Sequence, residues 1–278
     1  MFNSPASYIE PVFRPPSEAD SFIFQITNGC SWSRCTFCEM YTDPNKKFSV
    51  RPEAEVLAEI EAVGQKYGSQ IQRVFLADGD AMVLSTPKLL RVLEAIQKHL
   101  PRVKRVGAYC LPKNLQAKSV EELKEINEAG LKIAYVGAES GDDKVLKLIN
   151  KNETFASTVQ GINALKEAGI KSSVMIINGL GGNVHSHDHA VASAQLANET
   201  QPEYLATLVI SFPAGQKRLL QAFPDFELPD QTGLFKEMHT FLSHTQLDRS
   251  IFRSDHASNY LVLRGTLGRD KETLLKKI

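Results

Sequence analysis

The chain reads as an α/β protein. It predicts a partial (β/α)6, TIM-like barrel of parallel strands with a short N-terminal arm and a C-terminal extension. Three observations lead there. Short runs of β-formers alternate with amphipathic helical stretches along most of the chain. That alternation implies parallel strands joined by right-handed crossovers. The strand–helix units number six, fewer than the eight of a closed barrel. A doubly wound open sheet is the alternative arrangement.

Residues 1–20 are rich in proline and polar side chains and read as an arm. "FIFQIT" (22–27) is the first strand. Pro52 opens the first helix, in which Val56, Leu57, Ile60 and Val63 share a face. "IQRVFLAD" (71–78) is a buried strand, and "PKLLRVLEAIQKHL" (87–100) carries a stripe of Leu89, Leu93, Ile96 and Leu100. "VKRVGAY" (103–109) is the third strand. Ser119 and Glu122 form a capping box for the next helix, which Gly130 ends. "KIAYVGAE" (132–139) is the fourth strand, followed by helical "KVLKLIN" and by Thr154 to Ala168. "KSSVMIIN" (171–178) and "YLATLVISF" (204–212) are the fifth and sixth strands, with helices over about 187–199 and 232–245. The barrel thus spans 21–245. Residues 246–278 break the pattern and are expected to cap it.

Composition bounds the function. The 278 residues hold 32 Lys+Arg and 32 Asp+Glu, so no basic excess points to nucleic acid. No apolar run is long enough for a membrane span, and the N-terminus lacks the pattern of a signal peptide. A cytoplasmic location follows as the expectation. Thiols there stay reduced, so clustered cysteines point to a metal site rather than to disulfides.

In parallel α/β folds ligands bind at the carboxyl ends of the strands. Each strand here runs into a polar, Gly-rich or thiol-bearing loop: "NGCSWSRCTFCEM", "DGDAM" (78–82), "YCLPKN" (109–114), "ESGDD" (139–143), "NGLGGN" (178–183) and "SFPAGQ" (211–216). Six in register describe one ring of functional groups. Three of the four cysteines, Cys30, Cys35 and Cys38, lie in the first loop as C-x4-C-x2-C. A structural zinc takes four protein ligands. The fourth thiol, Cys110, is remote in sequence. Three thiolates suit a [4Fe–4S] cluster with one iron open. The alternative is a zinc site completed by Cys110, in a non-catalytic binding module. The histidines of "NVHSHDHA" are spaced two apart on a helix, where they face different ways, and read as helix-start polar residues.

With these motifs in this order, residues 20–245 resemble the radical S-adenosylmethionine (SAM) superfamily. "AYVGAESGDDKVLKLINKNET" is especially similar to the branch with Elp3-like, methylthiotransferase-like and coproporphyrinogen-dehydrogenase-like barrels. The tail "RSDHASNYLVLRGTL" looks like a smaller subfamily of that branch. The resemblance implies one [4Fe–4S] cluster on Cys30, Cys35 and Cys38. It implies reductive cleavage of SAM to a 5′-deoxyadenosyl radical that abstracts hydrogen from a substrate. Phe37 would pack by the adenine. Asp78, Gly79 and Asp80 stand where the family has Gly-Gly-Glu and would meet the methionine amino group. Glu139 and Ser140 would contact ribose or the methionine carboxylate, and the backbone around Asn178 and Gly179 would meet the adenine. The cysteine spacing departs from the usual C-x3-C-x2-C by one residue within "SWSR", so the loop must bulge.

Candidate catalytic residues are Cys110 with its neighbour Tyr109, facing the cavity at the end of the third strand, and His256 and Tyr260 in the tail, closing over substrate. A buried thiol is the other reading of Cys110, and cap packing that of the tail residues. "NKK" (45–47) with Arg51 reads as a solvated basic turn, or as a contact for an anionic substrate or electron donor. The expected partners are a small-molecule substrate and a flavodoxin- or ferredoxin-like donor, with no membrane and no nucleic acid. No second cysteine group exists, so auxiliary clusters are not expected, which argues against a methylthiotransferase. Neither a cobalamin domain nor an acetyltransferase domain is expected.

Overall fold

The computed structural model describes residues 5–278. The chain divides into two units. The first comprises residues up to Ser33, Met40–Tyr135 and Ala164–Ile170. The second comprises Arg34–Glu39, Val136–Asn163 and Lys171–Ile278.

In the first unit, β1 (Phe22–Gln25) runs parallel to β2 (Arg73–Ala77), with Phe22 opposite Val74 and Gln25 opposite Ala77. Strand β2 runs parallel to β3 (Arg105–Cys110), with Arg73 opposite Arg105. The crossovers are α1 (Glu53–Tyr67) and α2 (Thr86–His99). Their inward stripes are the apolar periodicities of the sequence: Val56, Ile60 and Val63, then Leu89, Val92, Leu93 and Ile96. Helix α3 (Val120–Glu128) starts on the expected capping box, with Ser119 and Glu122 each accepting the other's backbone N–H. Strand β4 (Leu131–Glu139) begins in this unit and ends in the second.

After α4 (Phe155–Glu167), the second unit holds β5 (Lys171–Asn178), α5 (Gly182–Thr200), β6 (Tyr204–Val209) and α6 (Gln231–His244). The tail then adds β7 (Ile251–Ser254), parallel to β6, and β8 (Leu263–Thr266), antiparallel to β7. The strands of the eight-stranded sheet follow chain order from β1 to β8. A doubly wound sheet would reverse direction at a switch point, so the fold is the partial-barrel kind.

Three local expectations change. Part of the segment expected as a cap is sheet, because β7 and β8 each have only four residues and no clear alternation to betray them. Helix α5 starts at Gly182, a full turn before the expected 187. The arm is not solvent-draped at its end. Glu18 is fully buried and accepts from Arg105 Nη2 at 2.6 Å, from Tyr135 Oη and from Ser21 Oγ. Among the described residues no helix is long and apolar enough to cross a membrane.

Candidate active site

In the first unit Cys30 is half-buried, one residue before Ser31. Ser31 Oγ and Asn114 Nδ2 both donate to Asp80 Oδ2, while Asp80 Oδ1 is buried without a partner. Burial pushes the Asp80 carboxyl up to about 6, against the pull of hydrogen bonds from Ser31, the Leu111 N–H and Asn114. Lys113 Nζ lies 4.4 Å from the centroid of the Trp32 ring.

Asp78 faces a different set of partners. Its Oδ2 accepts from Lys46 Nζ and, at 3.3 Å, from Gln25 Nε2. Both members of the Lys46–Asp78 pair are fully buried. Burial still raises the Asp78 carboxyl, with Lys46 opposing it. This corrects the reading of "NKK" as a solvated turn: Lys46 is a core residue, and Arg51 is paired with Glu59 at 2.8 Å. Between the two aspartates, Gly79 is where the Tyr41 ring packs. A Cβ at Gly79 would stand 2.7 Å from that ring, so the close approach requires glycine. The Tyr41 phenol is raised far above its usual range, first by burial and then by Asp78. At β3, Tyr109 packs edge-on to Phe75 with centroids 5.1 Å apart, and Cys110 is 2% exposed.

In the second unit Cys35 and Cys38 are half-buried, in a turn closed by Cys38 N–H to Cys35 C=O at 3.3 Å. Phe37 packs against a core that includes Val145, Ile149, Phe223 and Phe226. Glu139, at the end of β4, has a positive φ of 65° and pairs with Lys151 at 2.9 Å. Its carboxylate folds back over Gly137, where a Cβ would meet it at 2.1 Å. Ser140 is buried, 2.8 Å from His189 Nδ1. Asn178 Nδ2 and the Gly179 N–H donate to Glu237 Oε1 at 2.9 and 2.6 Å. Gly179 has φ 85°, which favours glycine.

In the tail, the side chain of Asn259 extends the β6 ladder after pairing with β7 stops at Ala206. Its Oδ1 accepts from Val209 N–H at 2.7 Å and its Nδ2 donates to Thr207 C=O at 3.1 Å. The loop is thereby held at the carboxyl end of β6. His256 is bonded to Ser258 at 2.8 Å, and Tyr260 is 62% exposed.

Four residues hold roles that the sequence did not assign them. Lys46 sits in a polar run that carries no burial signal. Asn114 and Arg218 are polar loop or helix-end residues without periodicity. Glu237 did leave a trace: it lies on the same stripe of α6 as buried Leu234, Met238 and Phe241. An acid on an apolar stripe marks a buried polar partner.

Residues 24–194 match the model of the Radical SAM superfamily, and the chain belongs to that family. It is therefore an enzyme of that class. Among solved structures it is similar to coproporphyrinogen III oxidase (HemN) from Escherichia coli, with TM-score 0.61, 14% identity, and coverage of 86% of this chain and 54% of that one. It is similar to methylornithine synthase (PylB), with TM-score 0.54 and 13% identity over 82% of this chain and 63% of that one. The methyltransferase TsrM from Kitasatospora setae, solved with cobalamin and a [4Fe-4S] cluster bound, gives TM-score 0.55 and 20% identity over 68% of this chain and 36% of that one. At these identities the likeness is one of fold, and the chain spans from about a third to under two thirds of those chains' lengths. No curated protein matches the chain.

The residues present fit the cluster and SAM. None of the four cysteines is in a disulfide, and the three of the loop are half-buried while Cys110 is sealed. Among the described residues no three His, Cys, Asp or Glu side chains converge on a single-ion site. A four-iron cube takes its thiolates on separate irons and does not need that convergence. The buried, unpartnered Oδ1 atom of Asp80 is a polar group that a charged ligand would satisfy.

Proposed function

We propose that the protein binds one [4Fe–4S] cluster through Cys30, Cys35 and Cys38, binds SAM, and performs radical chemistry on a small organic substrate. The carrying observation is the trio of half-buried, disulfide-free cysteines in the loop after β1, in a chain of this family. When bound, the cluster and SAM supply one-electron cleavage of a carbon–sulfur bond and, with it, hydrogen abstraction from the substrate.

The protein's own part is to position, desolvate and neutralise. Asp80, ionised above about pH 6, offers its open Oδ1 to the methionine ammonium. Tyr41, packed on Gly79, keeps water from the aspartates. Asp78, already held by Lys46, anchors the loop. Lys151 leaves the Glu139 carboxylate ion-paired, a suitable acceptor for ribose hydroxyls. Glu237 fixes the Gly179 backbone in the conformation that meets the adenine. Tyr109, and Tyr260 on the Asn259-anchored loop, contact substrate, and a flavodoxin- or ferredoxin-like donor delivers the electron.

Iron and sulfide analysis of anaerobically reconstituted protein tests the ligand set. Wild type and Cys110→Ala should hold four of each per chain. Cys30→Ala, Cys35→Ala and Cys38→Ala should each lose most of both. Zinc in place of iron in the wild type would refute the reading.

A further inference from the structure

The second half of the cysteine loop is held by a residue that no motif of the sequence identifies. Arg218 stands near the start of the short helix Lys217–Ala222, which follows β6. Its Nη1 donates to Cys38 C=O at 2.8 Å and its Nη2 to Cys35 C=O at 3.1 Å. The guanidinium thus bridges the two ends of the C-x2-C turn, the carbonyls of both cysteines. The helix that presents it is fixed from behind by buried Leu219 and Phe223, the latter in the same core that Phe37 packs against.

The rest of the segment is pinned as well. Thr36 N–H donates to Ile149 C=O at 2.9 Å, and Asn150 Nδ2 donates to Arg34 C=O at 3.1 Å. The Glu39 carboxylate accepts from Ala214 N–H at 3.1 Å. Those bonds set the two flanks. Among these partners Arg218 is the one that bonds the carbonyl oxygens of both cysteines.

We propose that Arg218 is a positioning residue for Cys35 and Cys38, and that its charge favours the reduced state of the group those thiolates hold. This rests on the reading of the two cysteines as cluster ligands. A planar guanidinium presents a rigid pair of donors that spans two acceptors at once, whereas a lysine ammonium is a mobile point charge. Adding an electron to the cluster adds negative charge beside the loop, and a fixed cation bonded to that loop stabilises the added charge. The clamp and the charge are therefore separable by substitution.

Hydrogen exchange over residues 34–39 in the cluster-free protein reads the clamp. In Arg218→Met the Thr36 and Cys38 amides should exchange about 10-fold faster than in wild type. Arg218→Lys should fall between the two. In the reconstituted protein, an EPR-monitored titration reads the charge. Arg218→Met should shift the cluster's midpoint potential to more negative values, and Arg218→Lys should stay near wild type. Unchanged exchange and unchanged potential in Arg218→Met would overturn the proposal while leaving the cluster reading intact. Faster exchange in a protein that takes up no cluster would show the clamp and defeat the ligand reading instead.

Discussion

His189 Nε2 and Glu237 Oε1 stand 3.7 Å apart in the interior of the second unit, where both hold the end of β5 and His189 ties it to the end of β4. His189 donates Nε2–H to Ile177 C=O at 3.0 Å, and its Nδ1 is hydrogen-bonded to the Ser140 hydroxyl at 2.8 Å. Ser140 Oγ in turn accepts from Asp142 N–H at 2.9 Å. Glu237 gathers the Gly179 N–H, the Asn178 amide and, at 2.6 Å, the Ser186 hydroxyl. The loops after β4 and β5, which carry four of the candidate SAM contacts, are thus set by two residues that touch no ligand in this reading.

Glu237→Ala removes the acceptor of the buried Gly179 N–H and Asn178 amide and of the half-buried Ser186 hydroxyl. It should destabilise the protein by about 3–5 kcal/mol. Glu237→Gln keeps an acceptor for Gly179 N–H and should cost less than half of that. Equilibrium urea unfolding measures both. SAM affinity of the Gln variant, by calorimetry on reconstituted protein, should fall because the Gly179 backbone is less firmly set.

Asp80 gives stability a pH dependence of known sign. An unfolded aspartate titrates near 4, and Asp80 in the folded protein is held up to about 6. Between those values the folded protein keeps a proton that the unfolded chain has released. The contribution is full below about pH 4 and is lost as pH rises through about 6. Asp80→Asn should therefore match wild type below pH 4. It should exceed it by up to about 3 kcal/mol above pH 7, in cluster-free protein. Urea midpoints at pH 4 and pH 7.5 give the comparison. SAM binding to the reconstituted wild type should weaken as pH falls below about 6, when the carboxylate is neutralised.

The Lys46–Asp78 pair makes a second, independent case. Lys46→Met leaves a buried carboxylate without its cation and should cost about 3–5 kcal/mol. In Lys46→Met/Asp78→Asn no charge is left, and most of the loss should return. A double-mutant cycle by thermal or chemical unfolding measures the coupling.

Asn259→Ala removes both bonds that stand in for a strand neighbour at Thr207 and Val209. About 1–3 kcal/mol should be lost, with faster hydrogen exchange confined to residues 255–260 and the Val209 amide. Asn259→Asp keeps the acceptor for Val209 N–H but lacks the donor for Thr207 C=O, and should rescue only in part.

The fold was legible where periodicity speaks. The stripes of Val56–Val63 and Leu89–Ile96 and the Ser119–Glu122 box placed helices that the structure shows, and six strand–helix alternations named the architecture. Strands β7 and β8 were not legible, because four residues each are too few to establish an alternation. At the site, the thiol spacing and the strand-end loops singled out Cys30, Cys35, Cys38, Asp80 and Gly179. The partners that set them were hidden for a common reason. Lys46, Asn114, Arg218 and Glu237 act through long-range pairs such as Lys46–Asp78 and Arg218–Cys38, and nothing in their local sequence encodes the partner. Only Glu237, an acid on the buried stripe of α6, broke a local rule visibly.

The central claim is tested most directly by 5′-deoxyadenosine. Anaerobically reconstituted wild type and Cys35→Ala would be incubated with dithionite and SAM, and the nucleoside quantified by mass. The account predicts 5′-deoxyadenosine from the wild type, with none above background from the variant. A wild type that holds a full four-iron cluster and binds SAM, yet forms no more 5′-deoxyadenosine than Cys35→Ala, would contradict it.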